Sequence, residues 1–139
     1  MESKIKTEVH THTLVSHHAY STVNELMTAC KEKGISLLAI TDHGPALGDG
    51  AHPWHFSNLK SFPHKIGSFY LIRGAEANIV DFQGNVDLDQ RILERLDWVI
   101  ASIHPPVIDP GSKKDHTKAY CKILENPYID ALGHSGFEA

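Results

Sequence analysis

Five apolar segments recur along this chain, and each is followed by a histidine or a glutamate. These polar residues lie about 30 residues apart, the length of a strand–helix–strand repeat; they are His12, His43, Glu76, His104 and His134. A near-continuous apolar run such as residues 36–41 is typical of a strand covered on both faces of a parallel sheet. The carboxyl ends of parallel strands lie on one rim of a barrel or sheet. The spacing therefore predicts an α/β fold in which five candidate metal ligands converge on one rim.

The segments between these strands carry helix signals. Ser21 or Thr22 is expected to cap a helix, with Glu25 three residues after Thr22 as a capping-box partner. An apolar stripe at helical spacing follows before Gly34 ends the helix. Further helices are predicted over residues 56–62, 90–96 and 113–125, and a small hairpin over 78–87. Strands are predicted over residues 7–12, 36–41, 69–72, 98–103 and 129–133, the third with an extension towards Glu76. This alternation predicts βαβ units and a parallel sheet.

The composition narrows the function classes. With 139 residues, 41% hydrophobic and 22% charged, the chain is expected to form one globular domain over residues 1–139. A net charge of −4 argues against nucleic-acid binding. No apolar run reaches the roughly 20 residues of a membrane span, and no secretory signal is expected at the N-terminus. The two cysteines, Cys30 and Cys121, form no disulfide framework, which predicts a cytoplasmic location.

Histidine is unusually frequent, and its placement predicts a metal site. The 11 histidines are spread along the chain rather than clustered as in a tag. His10 and His12 lie two apart on a predicted strand, so they point to the same side and can hold one ion together. Glu76 is the one obvious carboxylate at a predicted strand end, and its two oxygens can bridge two metals.

Residues near the predicted rim leave several alternatives open. His17 and His18 are adjacent in a loop, and only one of the two can easily face the rim. Asp42 either orients a ligand imidazole or caps a turn. His52 and His55 lie in the long loop over the rim, where contact with substrate is expected.

Imidazole and carboxylate ligands suit zinc, manganese or iron. Several such ions close together generate hydroxide near neutral pH and neutralise phosphate oxygens as the leaving group departs. The rim therefore fits hydrolysis of phosphate esters. Amide hydrolysis on an amidohydrolase-like barrel is the alternative chemistry.

Six ordered motifs resemble those of the PHP (polymerase and histidinol phosphatase) superfamily, and in particular its YcdX-like branch of bacterial phosphatases. The motifs are His10-Thr-His12-Thr, His18-Ala-Tyr-Ser-Thr, Ile40-Thr-Asp-His43-Gly, Arg73-Gly-Ala-Glu76-Ala-Asn-Ile, Ala101-Ser-Ile-His104 and Gly133-His134. The resemblance implies a distorted (β/α)7 TIM-like barrel, of which this chain holds the first four to five units. It also implies two to three divalent ions, usually zinc or manganese, and a small phosphorylated substrate.

Carried over position by position, the resemblance implies three metal sites. The first is held by His10, His12 and Glu76, the second by Glu76, His104 and His134, and the third by His18 and His43. It thereby selects His18 over His17. Glu76 and His104 are the implied catalytic residues, acting through a hydroxide that bridges the metals. His55 and Arg73 are expected to help bind the substrate phosphate.

One family feature is missing from these 139 residues. The family barrel ends with an Asp-x-His motif that completes the first and third metal sites, and this sequence has no such strand. An open sheet edge and exposed core-facing side chains are expected as a result. A neighbouring subunit or a second polypeptide is expected to complete the barrel, which predicts a homo-oligomer, unless the chain is a truncated product. The alternative function is a catalytically incomplete, metal-binding remnant or fragment that needs a partner chain.

Overall fold

The computed structural model describes residues 5–109 and 111–135; residues 1–4, 110 and 136–139 of the predicted domain lie outside the described residues. The strands are β1 (Thr7–Glu8), β2 (Leu37–Ile40), β3 (Lys65–Ile66), β4 (Phe69–Asn78), β5 (Trp98–Ser102) and β6 (Ala131–Leu132). The helices are α1 (Val23–Glu32), α2 (Pro53–Asn58), α3 (Gln90–Leu93) and α4 (Lys113–Ile123), with a 3₁₀ turn at Leu59–Ser61. Within the described ranges, no helix has both the length and the apolar character that crossing a membrane requires.

The sheet runs in chain order, β1-β2-β4-β5-β6, and every pair along this path is parallel. Because each parallel strand lies beside the previous one, right-handed crossovers place the intervening helices on one face. The sheet also curls. The indole N–H of Trp98 on β5 donates to the carbonyl of Val9, 3.0 Å away and just past β1, across two intervening strands. The strands and helices therefore form half of a TIM-like barrel, which confirms the predicted fold class.

The helices cover the convex face of this half-barrel. Met27 and Cys30 of α1 pack on Leu38, Ile40 and Leu71, whose side chains point outward from β2 and β4. The capping box of α1 is confirmed: Thr22 Oγ1 accepts the Glu25 amide, and the Glu25 carboxylate accepts the Thr22 amide. Side-chain alternation then puts the remaining strand positions on the concave face.

The register on the concave face determines where the strand-end side chains meet. An isolated parallel bridge pairs His43 with Glu76, and Asn78 on β4 pairs with Ser102 on β5. These positions share the face of Tyr70, which is 44% exposed on the open side of the half-barrel. The predicted rim is therefore a set of neighbouring side chains around the end of β4.

Several elements differ from their predicted bounds. β1 is shorter than the predicted 7–12: beyond Glu8 the chain follows β2 through Thr11 and Thr41, whose side chains and backbones exchange hydrogen bonds. α2 begins at Pro53, ahead of the predicted residue 56. β3, which pairs antiparallel with β4 through the turn at Gly67, was not predicted.

Candidate metal centre

A buried carboxylate lies at the middle of the candidate site. Glu76 is fully buried near the end of β4. Its Oε2 lies 3.1 Å from His10 Nε2, 3.2 Å from His12 Nε2 and 3.1 Å from His43 Nδ1. Among the described residues, Oε2 itself, His10 Nε2 and His43 Nδ1 are buried without a hydrogen-bond partner. Three imidazoles thus converge on one oxygen, and the facing nitrogens of His10 and His43 have no hydrogen-bond partner among the described residues.

The other oxygen of Glu76 faces a second group. Ser102 Oγ donates a 2.6 Å hydrogen bond to Oε1, and His104 Nε2 and His134 Nε2 lie 3.5 and 3.4 Å from the same atom. His104 Nε2 is also buried without a hydrogen-bond partner in the described part of the chain. Gly133 is needed here, because a Cβ at this position would clash with Ser102 Oγ. The carboxylate therefore lies between two sets of imidazoles, one on each oxygen.

The donor set fits divalent ions. Two groups have ligand atoms that all lie within 4.8 Å of one another, and both include Glu76: one adds His10 and His12, the other His43 and His104. The first group has the composition that the resemblance implies for the first metal site. The second joins His43 to His104, whereas the resemblance assigns these two residues to different sites. His134 stacks on His10, with ring centroids 5.2 Å apart.

The electrostatics favour an ionised Glu76 and a neutral His43, whereas the hydrogen bond to Glu76 raises the pKa of His10. Burial opposes ionisation of Glu76, but the imidazoles of His10, His104 and His12 and the Ser102 hydroxyl outweigh it and hold the pKa of Glu76 far below its ordinary value. Burial lowers the pKa of His43 to about 4. An ionised carboxylate beside a neutral imidazole is the state that binds a metal ion, since ligands must be free of protons.

His18 lies at the exposed side of the cluster. Its ring centroid is 5.0 Å from that of His43 and 5.9 Å from that of His12. The Asp49 carboxylate contacts His18 Nδ1 and so leaves Nε2 available as a ligand atom. The structure therefore brings His18 into the cluster. Sequence reasoning missed Asp49, which lies between two glycines in the loop after His43.

Asp42 connects two segments of the chain that carry candidate metal ligands. Its carboxylate accepts the Thr13 amide at 2.7 Å, the Thr13 hydroxyl at 2.9 Å and the Ser16 hydroxyl at 2.8 Å. Ser16 Oγ in turn accepts the backbone N–H of His43. Burial raises the pKa of Asp42, but the contacts with His55, Thr13 and Ser16 outweigh it, so the pKa lies below its ordinary value. Asp42 thus ties the loop after β1 to His43 instead of contacting a ligand imidazole.

The two predicted phosphate-binding residues contact other groups in this structure. His55 Nε2 lies 3.1 Å from Asp42 Oδ2. Arg73 is an odd-numbered position of β4, on the opposite face from Glu76, and its Nε and Nη2 donate to the Phe62 carbonyl at 3.2 and 2.6 Å. The structure does not bring Arg73 to the cluster, and phosphate binding by either residue stays a prediction.

Comparison with known proteins points to one family. The PHP domain family matches residues 8–135. A protein of Acetivibrio thermocellus named "Probable phosphatase" is 43% identical over 133 residues, which are 96% of this chain and 55% of the relative. Probable phosphatases of Photobacterium profundum and Thermoanaerobacter sp. are 43% and 44% identical over 93% and 96% of this chain, and over 52% and 55% of their own lengths. The chain spans about half the length of the curated relatives it matches.

Proposed function

This chain belongs to the PHP domain family, and on that premise we propose that it carries the metal centre of a phosphatase. The reaction is hydrolysis of a phosphoric ester bond in a small phosphorylated substrate. The observation that carries the proposal is the Glu76 carboxylate with unpartnered imidazole nitrogens gathered around it. The names of the relatives supply the substrate class.

The proposed ligands are the residues that face or adjoin Glu76: His10, His12, His18, His43, Glu76, His104 and His134. Bound divalent ions would neutralise the phosphate oxygens and lower the pKa of water. Glu76 holds its charge between the two imidazole groups, and Ser102 fixes the orientation of its Oε1 by hydrogen bonding. Glu76 and His104 are proposed as the catalytic residues, with His55 and Arg73 as candidates for substrate contact.

We propose zinc as the resident metal, at two to three ions per chain. A set of imidazole and carboxylate ligands suits zinc, and it also suits manganese and iron. Elemental analysis of the purified chain distinguishes the three metals.

The test of the proposed activity compares four samples with p-nitrophenyl phosphate: the chain as purified, after chelation, after zinc is restored, and as Glu76→Gln. The first and third samples should hydrolyse the ester, and the second and fourth should not. Hydrolysis that persists in the fully stripped chain would refute metal dependence. Restored zinc content without turnover would refute the phosphatase proposal for this chain alone.

A second candidate is a metal-binding domain that needs another polypeptide before it turns over substrate. The concave face favours it: Tyr70 is 44% exposed there, and the His134 side chain is 42% exposed at its rim. We propose a second copy of this chain as the partner that covers this face. Sedimentation velocity tests the idea, because a chain that is fully active as a monomer would contradict it.

Two smaller proposals complete the assignment. We propose that residues 1–139 form one domain, corresponding to the N-terminal part of a PHP barrel. Cys30 and Cys121 are both free thiols, which supports a reducing cytoplasmic location. Localisation of a tagged full-length protein would test the second proposal.

A further inference from the structure

We propose that Asn78 fixes the tautomer of His104, and that Asp87 fixes the orientation of the Asn78 side chain. Neither residue is a candidate ligand, so both act as positioning residues. The inference rests on the proposed metal centre for its function. Its geometry stands on hydrogen bonds within the chain.

Both carboxylate oxygens of Asp87 accept hydrogen bonds from backbone N–H groups. Its Oδ1 receives the backbone N–H of Asn78 at 2.8 Å, and its Oδ2 receives the backbone N–H of Ala46 at 2.9 Å. A backbone N–H can only donate, so both carboxylate oxygens are acceptors. The side chain of Asn78 lies 2.6 Å from the same Oδ2. That contact requires the amide nitrogen of Asn78, and not its oxygen, to face Asp87.

A second acceptor confirms this orientation of Asn78. Its Nδ2 also donates to the Gly44 carbonyl at 3.0 Å. A reversed amide would place its oxygen against two other acceptors in a fully buried site, where it would receive a hydrogen bond from neither. The Asn78 oxygen must therefore point the other way, where it lies 2.6 Å from His104 Nδ1.

The orientation of Asn78 determines which His104 nitrogen carries the proton. An amide oxygen can only accept, so His104 Nδ1 must be the N–H donor. In a neutral imidazole the other nitrogen then holds a lone pair. That nitrogen, Nε2, is the atom that faces Glu76 Oε1 at 3.5 Å. His104 is thus held in the tautomer that a metal ligand needs.

The same contacts explain the glycine after His43. A Cβ on Gly44 would clash with both carboxylate oxygens of Asp87. The lack of a side chain lets Asp87 approach, and the Gly44 carbonyl then accepts from Asn78. Asn78 consequently links the segment after β2 that carries His43 to the segment after β5 that carries His104.

Two substitutions separate this positioning role from a merely structural one. Asn78→Asp and Asn78→Leu are similar in size, and both lose the donation to Gly44 and Asp87. Only the aspartate keeps an acceptor for His104 Nδ1. A merely structural role predicts that the aspartate is at least as harmful as the leucine, because it adds a carboxylate beside Asp87.

The first measurement is the ¹⁵N spectrum of the histidine rings in the full chain, with and without zinc, with His104 assigned through His104→Gln. In the unsubstituted chain we expect a protonated Nδ1 and an unprotonated Nε2. Asn78→Asp should keep this pattern, and Asn78→Leu should show a mixture of tautomers. The second measurement is zinc affinity by chelator competition: Asn78→Leu should lose about 10–100-fold, and Asn78→Asp less than about tenfold.

The proposal is overturned if the unsubstituted chain carries its proton on His104 Nε2, or if the two Asn78 variants agree in tautomer and affinity. The first criterion needs no Asn78 variant, so it decides the matter even if Asn78→Leu does not fold, which circular dichroism would reveal. A chain that hydrolyses no phosphate ester can still pass the tautomer test. Failure of the phosphatase proposal and failure of this one are therefore distinguishable.

Discussion

Replacing Asp42 with alanine should both lower the free energy of unfolding and weaken zinc binding at the proposed metal site. Asp42 is fully buried, and its carboxylate accepts three hydrogen bonds from Thr13 and Ser16. These residues are themselves buried in the loop that separates His12 from His18. Water cannot replace the carboxylate without opening that loop.

The loss in free energy of unfolding can be estimated from the groups that Asp42→Ala leaves without a partner. The buried Thr13 backbone N–H loses its acceptor, which costs about 1–3 kcal/mol. The Thr13 and Ser16 hydroxyls also lose a charged acceptor. Because a hydroxyl can rotate towards another partner, each of these losses costs about 1 kcal/mol. Removing the carboxylate also removes the cost of burying it, which offsets part of the loss. After this offset, the expected decrease in the free energy of unfolding is about 2–4 kcal/mol, a large part of the stability of a typical domain.

The assay is urea unfolding in excess chelator, so that bound metal contributes nothing to the measured free energy. Asp81→Ala is the matched control, because Asp81 also accepts three hydrogen bonds, from Gln83 and Asn85, but at an exposed turn. Its cost should be about 1 kcal/mol or less, since water can replace the lost acceptor. Equal costs for Asp42→Ala and Asp81→Ala would refute the reasoning from burial. Unchanged zinc affinity in Asp42→Ala would refute the link to His43.

Three further predictions test separate parts of the structure. Glu76→Gln should lower the zinc content of the purified chain in elemental analysis, because both candidate ligand groups share this carboxylate; unchanged content would contradict the shared role. Gly44→Ala should destabilise the chain by about 1–3 kcal/mol in urea unfolding, because its Cβ would meet the Asp87 carboxylate. Thr22→Ala should cost about 1 kcal/mol in thermal unfolding through loss of the helix cap, whereas the control Thr28→Ala, on the exposed face of the same helix, should cost little. Equal costs for the two threonines would contradict the capping argument.

The convergence of the candidate ligands was predictable because two simple periodicities act together. Repeats of about 30 residues bring each strand end to the same rim, and parallel pairing then aligns the side chains that face inward. His43 and Glu76 meet in this way through their bridge, and His104 approaches from the next strand. His10 and His12 reach Glu76 although β1 itself ends at Glu8, because bonds between Thr11 and Thr41 keep the chain alongside β2.

Local turn chemistry explains most of the fold that was not predicted. The hairpin of β3 and β4 turns at Gly67-Ser68, a pair that is a recognised hairpin signal, but β3 is too short to show alternation. α2 begins at Pro53, and His52 is its N-cap. Proline at the first helical position favours a helix start here, but histidine is not among the usual capping residues, so the sequence predicted a later start. The glycine after His43 makes room for the Asp87 carboxylate, a tertiary contact that local turn signals do not reveal.

The residues around the ligands could not be found from periodicity, because tertiary contacts bring them in from loops. Asp49 reaches His18 from a loop 31 residues away in sequence, and Asp87 reaches Ala46 across 41 residues. Neither residue has a spacing or a neighbour that distinguishes it from an ordinary surface aspartate. Asn78 is the first residue of the hairpin predicted over residues 78–87 and ends β4 in the structure, but its proposed function depends on the orientation of one amide.

The exposure of the candidate ligands predicts the order in which bound ions leave the proposed metal centre. The His43 side chain is 6% exposed and faces Glu76, whereas those of His134 and His18 are 42% and 50% exposed at the open side. A chelator or a substrate must approach from the side of His134 and His18, because β4 and the helices close the other. An ion held with His18 should therefore leave first on chelation, and an ion held by Glu76, His10 and His12 should leave last. Under the proposed function, the same asymmetry would let substrate enter while the buried carboxylate keeps its charge.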